Sequence, residues 1–393
     1  MLSKQLLVFV FSLKTFSAIL FGYLFKEGLI NGRDTFLYFK DGNVIYDTLK
    51  SNPLIYLKLA IGANDFTPVP KSLLPYTDAM NYWFDNSNYF VVRLNAIIRL
   101  FSFGIYNVHA VIFAFLSFIG AYNLYLFFED KVVSKRMLKF ILFGIPSIIF
   151  WTSGVHKEAI VIFSLGVILR SVDSILNLRN TKTNMVFAFL GLIILGYTRI
   201  YLLAFLLPLI AAIIIYSRFD LKQSSFKMFT ACIVVFVLLA FVVDIYVPEF
   251  SVINEFLVRR ATFLNAHGNM SFPVESFPHN ISALMILLWE AITNPFIRPL
   301  PNDCNKFLSY LASFETYTLL MLLFALLVAS DKRALITNPY AIFSIFFGLS
   351  TLFLIGLIVN NSGAIVRYRS VAIPFILIGL CMGKNKNSSQ ISG

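Results

Sequence analysis

Five residues able to do acid–base or recognition chemistry, Asp34, Tyr38, Asp41, Tyr46 and Asp47, fall within fourteen positions of the segment NGRDTFLYFKDGNVIYDTLKSNP (31–53). The segment directly follows the first apolar run of a chain that is 58% hydrophobic and 13% charged. Acids so dense beside a membrane span point to an active site, because a carboxylate can take the proton from an attacking hydroxyl. Asp34, nearest the span, is the candidate base and Asp41 the second candidate. Asp47 reads as a solvated helix residue.

Three later groups supply polar partners. In WTSGVHKE (151–158) one helix ends and another begins, so His156, Lys157 and Glu158 fall in a first helical turn, where backbone N–H groups favour anions. The alternative is a set of interfacial polar residues around a tight turn. Arg199 stands in apolar sequence with no other charge for more than ten residues on either side, which marks either a functional site or a side chain snorkelling to headgroups. In NNSGAIVRYRS (360–370), Asn361, Arg367 and Arg369 open the last apolar run. The planar guanidinium fork holds phosphate in a bidentate way, so these are candidate phosphate ligands. Arg259, Arg260 and Arg298 could join them. Cations of this kind would stabilise charge developing on a leaving phosphate.

The elements that must position these residues are membrane helices. Mean hydropathy is +0.79, and the chain holds 43 Phe and 18 Tyr, far from the roughly 25% charge of an ordinary soluble domain. A span takes about 20 apolar residues. Runs near 5–25, 105–128, 138–153, 157–175, 184–197, 200–217, 228–247, 313–330, 338–359 and 370–383 predict about ten transmembrane helices. The fold class expected is an all-α polytopic membrane protein, one integral domain over 1–383 with a disordered cytoplasmic tail at 384–393. Lys14, inside the first run, should face neighbouring helices or snorkel.

Basic residues recur at 129–139, 176–183, 218–227, 331–333 and in the tail. If all of these are cytoplasmic, an even number of crossings separates each from the next, as the ten spans require. The 184–217 run must then double back near Tyr197–Thr198–Arg199, and both termini lie inside. The opposite, outer face receives 26–104, 153–158, 197–201, 248–312 and 360–369, and with them all four histidines, His109, His156, His267 and His279. The two long outer loops, 26–104 and 248–312, contain stretches suited to interfacial helices, Phe90–Phe103 and Ile281–Ile297. The net charge of +12 is thus accounted for by topology and not by nucleic acid. Cys232, Cys304 and Cys381 are dispersed and define no disulfide framework.

The chain has no GxxxxGK[ST], GxGxxG or HExxH motif and no GxSxG elbow, which excludes nucleotide-driven work on those patterns. A divalent cation could bridge carboxylate and phosphate, but no ligand spacing specifies a metal site or any other cofactor.

The position of Asp34 and Tyr38 (DTFLY) after the first span, the following DGNVIY, and the phrases RLNAIIRLFSFGIYNVH (93–109), FWTSGVHKEAIV (150–161) and NSGAIVRYRSVAIPF (361–375) resemble the GT-C superfamily, multi-span glycosyltransferases that use polyprenyl-phosphate-linked sugars. The resemblance implies that Asp34 serves as base or positions the acceptor, with Tyr38 beside it. It also implies that Lys157, Arg199, Arg367 and Arg369 hold the lipid phosphate. The chain departs from the family in lacking a paired-acid motif at the end of the first span and a soluble C-terminal domain. The implied partners are a polyprenyl-phosphate-linked sugar, a glycan or lipid acceptor and membrane lipids, in the cell (inner) membrane. Two other readings are a polysaccharide (O-antigen-type) polymerase or ligase and a lipid-linked glycan flippase. A structural scaffold would leave the arginines of 360–370 unexplained.

Overall fold

A computed structural model describes residues 2–30, 32, 34–62, 68–219, 225–246, 252–265, 270–274 and 280–383, with backbone alone at 240, 243 and 252–255. The expectations for His267, His279 and the tail at 384–393 lie outside the described residues.

In chain order the helices are α1 (Lys4–Lys26), α2 (Asp34–Ser51), α3 (Pro53–Ile61), α4 (Leu74–Thr77), α5 (Asn86–Ser102), α6 (Tyr106–Phe128), α7 (Lys135–Phe143), α8 (Pro146–Ser153) and α9 (Lys157–Leu176). They continue with α10 (Thr181–Phe219), α11 (Ser225–Tyr246), α12 (Val252–Asn265), α13 (Ile281–Ile297), α14 (Phe307–Ala329), α15 (Lys332–Thr337), α16 (Pro339–Ile358) and α17 (Ser362–Met382). Among the described residues the only β pairing is an isolated bridge between Ser271 and Asn361.

Eight of these helices, α1, α6, α9, α10, α11, α14, α16 and α17, are long and apolar enough to cross a membrane, and the broken pair α7–α8 makes a ninth if taken as one span. This is the architecture of a multi-pass membrane protein. The sequence count of ten differs because 184–197 and 200–217 are joined in the 39-residue α10. At about 1.5 Å per residue that helix has roughly twice the length of a span. It is interrupted at Arg199, whose φ of −151° and ψ of 74° leave the helical region. Leu203 Cδ2 comes within 3.5 Å of where a Gly196 side chain would begin. Seven residues of straight helix would separate those positions by about 10 Å, so the chain folds sharply at this point.

The chain packs as two compact units. The first comprises Met1–Leu126, Ile149–Ile175 and Asn180–Leu203, and the second Phe127–Ile148, Leu176–Arg179 and Ala204–Gly393.

In the first unit, α2, α3 and α5 make a helical subdomain outside the candidate spans. Thr35, Tyr38, Asp41, Ile45 and Thr48 recur at helical spacing and are the buried stripe of α2. Between them Gly42 lets α2 touch α5, since an added Cβ would lie 2.7 Å from Asn95 Cβ. Asn52 caps α3, with Pro53 in its first turn, and Asp85 caps α5 through the Asn88 amide. Tyr89 Oη donates to Leu59 O at 2.8 Å, and Arg93 Nη2 donates to Gly62 O. These two bonds tie the end of α3 to α5.

In the same unit, α6 and α9 cross at Gly120 and Gly166. A side chain on either would collide with backbone of the other helix, the close approach that small residues permit between membrane helices. Lys14 takes the inward of its two expected courses. It is 1% exposed, and Nζ donates to Ser117 Oγ at 2.8 Å and Thr152 Oγ1 at 3.0 Å. It therefore links α1, α6 and α8 and does not snorkel.

In the second unit α17 is the central helix, buried along almost its whole length. Gly348 and Gly379 bring α16 and α17 together, and Gly356 meets the Ala291 backbone of α13. Both of the long segments expected as loops are thus largely helical: 26–104 contains α2–α5 and 248–312 contains α12 and α13.

Candidate active site

Asp34 opens α2, where the helix dipole favours an acid. One turn and two turns further, Tyr38 and Asp41 lie on the same helix face, the i, i+4, i+7 relation. Asp34 and Asp41 nevertheless meet different surroundings.

Asp41 is fully buried. Its Oδ2 accepts from the Asn81 amide at 2.8 Å and the Tyr82 amide at 3.0 Å, and its Oδ1 accepts from Asn81 Nδ2 at 2.9 Å. Burial raises its pKa, and the Asn81 and Tyr82 bonds offset this only in part. This carboxylate is spent on anchoring residues 81–82. Asp41, expected as the second candidate acid, is thus buried and bound within the protein as an anchor of the loop.

The anchored loop delivers Tyr82, whose hydroxyl donates to Asp34 Oδ1 at 3.1 Å. Burial, followed by the neighbouring Asp34 charge, raises the Tyr82 pKa far above the ordinary phenol value, so it remains a proton-bearing donor. On the other side, His156 Nε2 lies 3.6 Å from Asp34 Oδ2. His156 Nδ1 bonds to Glu158 Oε2, and Glu158 Oε1 accepts from Arg199 Nη2 at 2.7 Å. The Lys157 amide also lies 3.0 Å from His156 Nδ1. A ring nitrogen that donates to a buried carboxylate has no lone pair left for a second donor, so the Glu158 bond fixes the ring.

The result is a chain of groups, Arg199–Glu158–His156–Asp34–Tyr82, drawn from α10, α9, the turn before α9, α2 and the loop before α5. Side-chain exposure is 9% for Arg199, 2% for Glu158, 3% for His156 and 40% for Asp34. Asp34 is therefore the member of this chain of acids and bases that a substrate can reach. The formal charges of Arg199, Glu158 and Asp34 sum to one negative, with the Glu158–Arg199 pair balanced in the buried part of the chain.

Around it, Tyr38 is 1% exposed, donates to Asn88 Oδ1 at 2.6 Å, and meets the His156 ring edge-on at 5.8 Å between centroids. Lys157 Nζ donates to Ser87 Oγ at 2.7 Å, and Ser87 Oγ donates to Asp85 Oδ1 at 2.9 Å. Lys157 is thus bridged to an acid through a hydroxyl.

The expected cations of the second unit have structural work. Arg369, 4% exposed, donates from Nη1 to the carbonyls of Pro295, Phe296 and Arg298 at 3.2, 3.3 and 3.1 Å, and from Nη2 to Thr316 Oγ1 at 2.6 Å. It caps the end of α13, where unsatisfied carbonyls and the dipole favour a cation. Arg260 Nη1 donates to Leu357 O at the end of α16. Asn361 caps α17 by accepting from the Ala364 amide at 3.0 Å. Arg369, Arg260 and Asn361, expected as substrate ligands, thus make contacts to backbone within the protein. Arg367 stacks over the Tyr368 ring at 4.7 Å and donates from Nη2 to its hydroxyl at 2.7 Å. Arg259 is half-buried on α12.

A second hub joins Arg298, Asp303 and Ser362. Arg298 Nη1 reaches both Asp303 oxygens at 2.7 and 2.8 Å, and Asp303 Oδ2 also accepts from the Leu300 amide at 2.9 Å and Ser362 Oγ at 2.8 Å. Arg298 lies 3.7 Å over the Phe272 ring. Asp303 has a lowered pKa: burial acts to raise it, and the bonds from Leu300, Arg298 and Ser362 together outweigh that.

Sequence reading overlooked Tyr82, Asn81, Ser87 and Asn88. The polar and aromatic run NYWFDNSN (81–88) was the available signal. Among the described residues no group of three or more His, Cys, Asp or Glu is arranged to hold a metal ion. No family model, curated protein or solved structure matches this chain.

Proposed function

We propose that this protein is an integral membrane glycosyltransferase that moves a sugar from a polyprenyl-phosphate-linked donor to an acceptor hydroxyl on the outer face of the cell membrane, with both termini cytoplasmic. The observation that carries the reading is Asp34, the accessible carboxylate of its chain of groups, backed by His156, Glu158 and Arg199. Asp34 takes the acceptor O–H proton as the acceptor oxygen bonds to the anomeric carbon, and His156 is placed to receive that proton from it. The anomeric carbon–phosphate bond breaks, and the polyprenyl phosphate leaves with the electron pair. Glu158, held by Arg199, fixes the imidazole. Arg199 and Lys157, expected to hold phosphate, here act through Glu158 and Ser87.

A flippase reading would rely on polar groups near the middle of the spans. The candidate for that role, Lys14, is closed in by Ser117 and Thr152, which favours the enzyme.

The test is Asp34→Asn in cells lacking the native gene, with surface glycan composition and membrane expression both measured. Loss of one sugar from each repeat is expected. Unchanged glycan from a well-expressed variant would overturn the reading, and loss of long chains with single repeats still made would indicate a polymerase.

A further inference from the structure

The loop between α4 and α5 is held unusually firmly for an irregular segment. Asp41 takes three of its N–H groups. Trp83 is 1% exposed and meets Tyr89 edge-on at 5.1 Å. Asp85 closes the loop by capping α5. Within this rigid frame Phe84 is 77% exposed, two residues beyond the Tyr82 that touches Asp34. The clamped backbone holds an exposed aromatic ring near Asp34, on the kind of scaffold-positioned loop that carries binding residues.

We propose that Phe84, with the exposed amides of Asn81 and Asn86 beside it, is a platform for a pyranose ring of the acceptor glycan. The flat C–H face of a sugar matches an exposed aromatic ring, and its hydroxyls match amide groups that both donate and accept. A bilayer is a poorer match. Asn81, Asp85 and Asn86 neighbour Phe84 in the sequence, and all are exposed. Sinking Phe84 into lipid would desolvate amides and bring a carboxylate toward anionic headgroups. Asn81 is suited to its part because its Nδ2 is bound to Asp41 Oδ1, which orients the amide oxygen before any ligand arrives. The inference rests on the glycosyltransferase reading and names the substrate class of that same site.

The experiment uses the full chain in lipid nanodiscs, titrated with a panel of fluorescently labelled bacterial repeat-unit oligosaccharides. Wild type is expected to bind at least one of them. Phe84→Ala should weaken that binding by about tenfold or more, and Phe84→Trp should retain it. Binding that ignores Phe84→Ala would overturn the platform and leave the enzyme reading standing. A panel that binds nothing would count against both. A spin label at a Phe84→Cys variant that relaxes with lipid-dissolved oxygen, and not with a water-soluble nickel chelate, would give the ring to the membrane and overturn the proposal.

Discussion

His156 presents Nε2 to Asp34 Oδ2 at 3.6 Å while its other nitrogen is held by Glu158. An accessible acid on α2 is in this way connected to a buried ion pair, Glu158 with Arg199, whose members are separated by 41 positions in the chain. The site depends on that pair remaining intact.

Arg199→Ala would strand the Glu158 carboxylate at 2% side-chain exposure. Removing one member of a buried pair costs about 3–5 kcal/mol, so a marked drop in the detergent melting temperature is expected. The double variant Arg199→Met with Glu158→Leu should recover much of that stability, since the uncompensated charge is gone, while transfer activity stays lost. A double variant no more stable than Arg199→Ala would contradict the pairing.

Asp41 and Asp47 lie on one helix, and only Asp41 is buried. Asp41→Asn turns an amide NH₂ or a single acceptor toward three N–H donors, at a cost of about 1–3 kcal/mol. Hydrogen exchange at residues 78–88 should rise in that variant, whereas Asp47→Asn should leave it unchanged. Equal exchange in both would mean the anchor is not the constraint on the loop.

Asp303 supplies the pH dependence. Its pKa is lower in the folded protein than its ordinary 3.8, so folding favours the ionised form. The stabilisation is complete above the unfolded value, near pH 4, and is lost as pH falls through the lower folded value. Wild type should therefore melt above Asp303→Asn at neutral pH, with the gap closing below about pH 4. A gap that stays constant down to acid would rule out ionisation as its source.

Arg369 separates capping from phosphate binding. Lysine keeps the charge and loses the planar fork, so Arg369→Lys should reduce thermal stability through the end of α13. Retention of a fluorescent polyprenyl phosphate by the folded variant should match wild type. Wild-type stability with lost lipid binding would restore the phosphate role.

The helices and most spans are legible in the sequence because an apolar run of about 20 residues and a 3.6-residue period are local properties. The sequence gathers Asp34, Tyr38 and Asp41 beside the first span, the parity of basic segments puts a turn near Tyr197–Thr198–Arg199, and 151–158 reads as a helix junction. Composition and spacing do not tell an accessible acid from a clamped one. Asp41 is clamped by the amides of residues 81–82, some 40 positions away, whereas Asp34 meets the Tyr82 hydroxyl and His156. Nor does an arginine in an apolar run announce its acceptors. Arg369 meets carbonyls more than 70 positions back in the chain, which the positive-inside trend left looking like an unassigned outer cation. Residue type and period govern which surfaces a helix offers. Which donor meets which acceptor is decided when the helices pack, because only then does burial make an unpaired group costly.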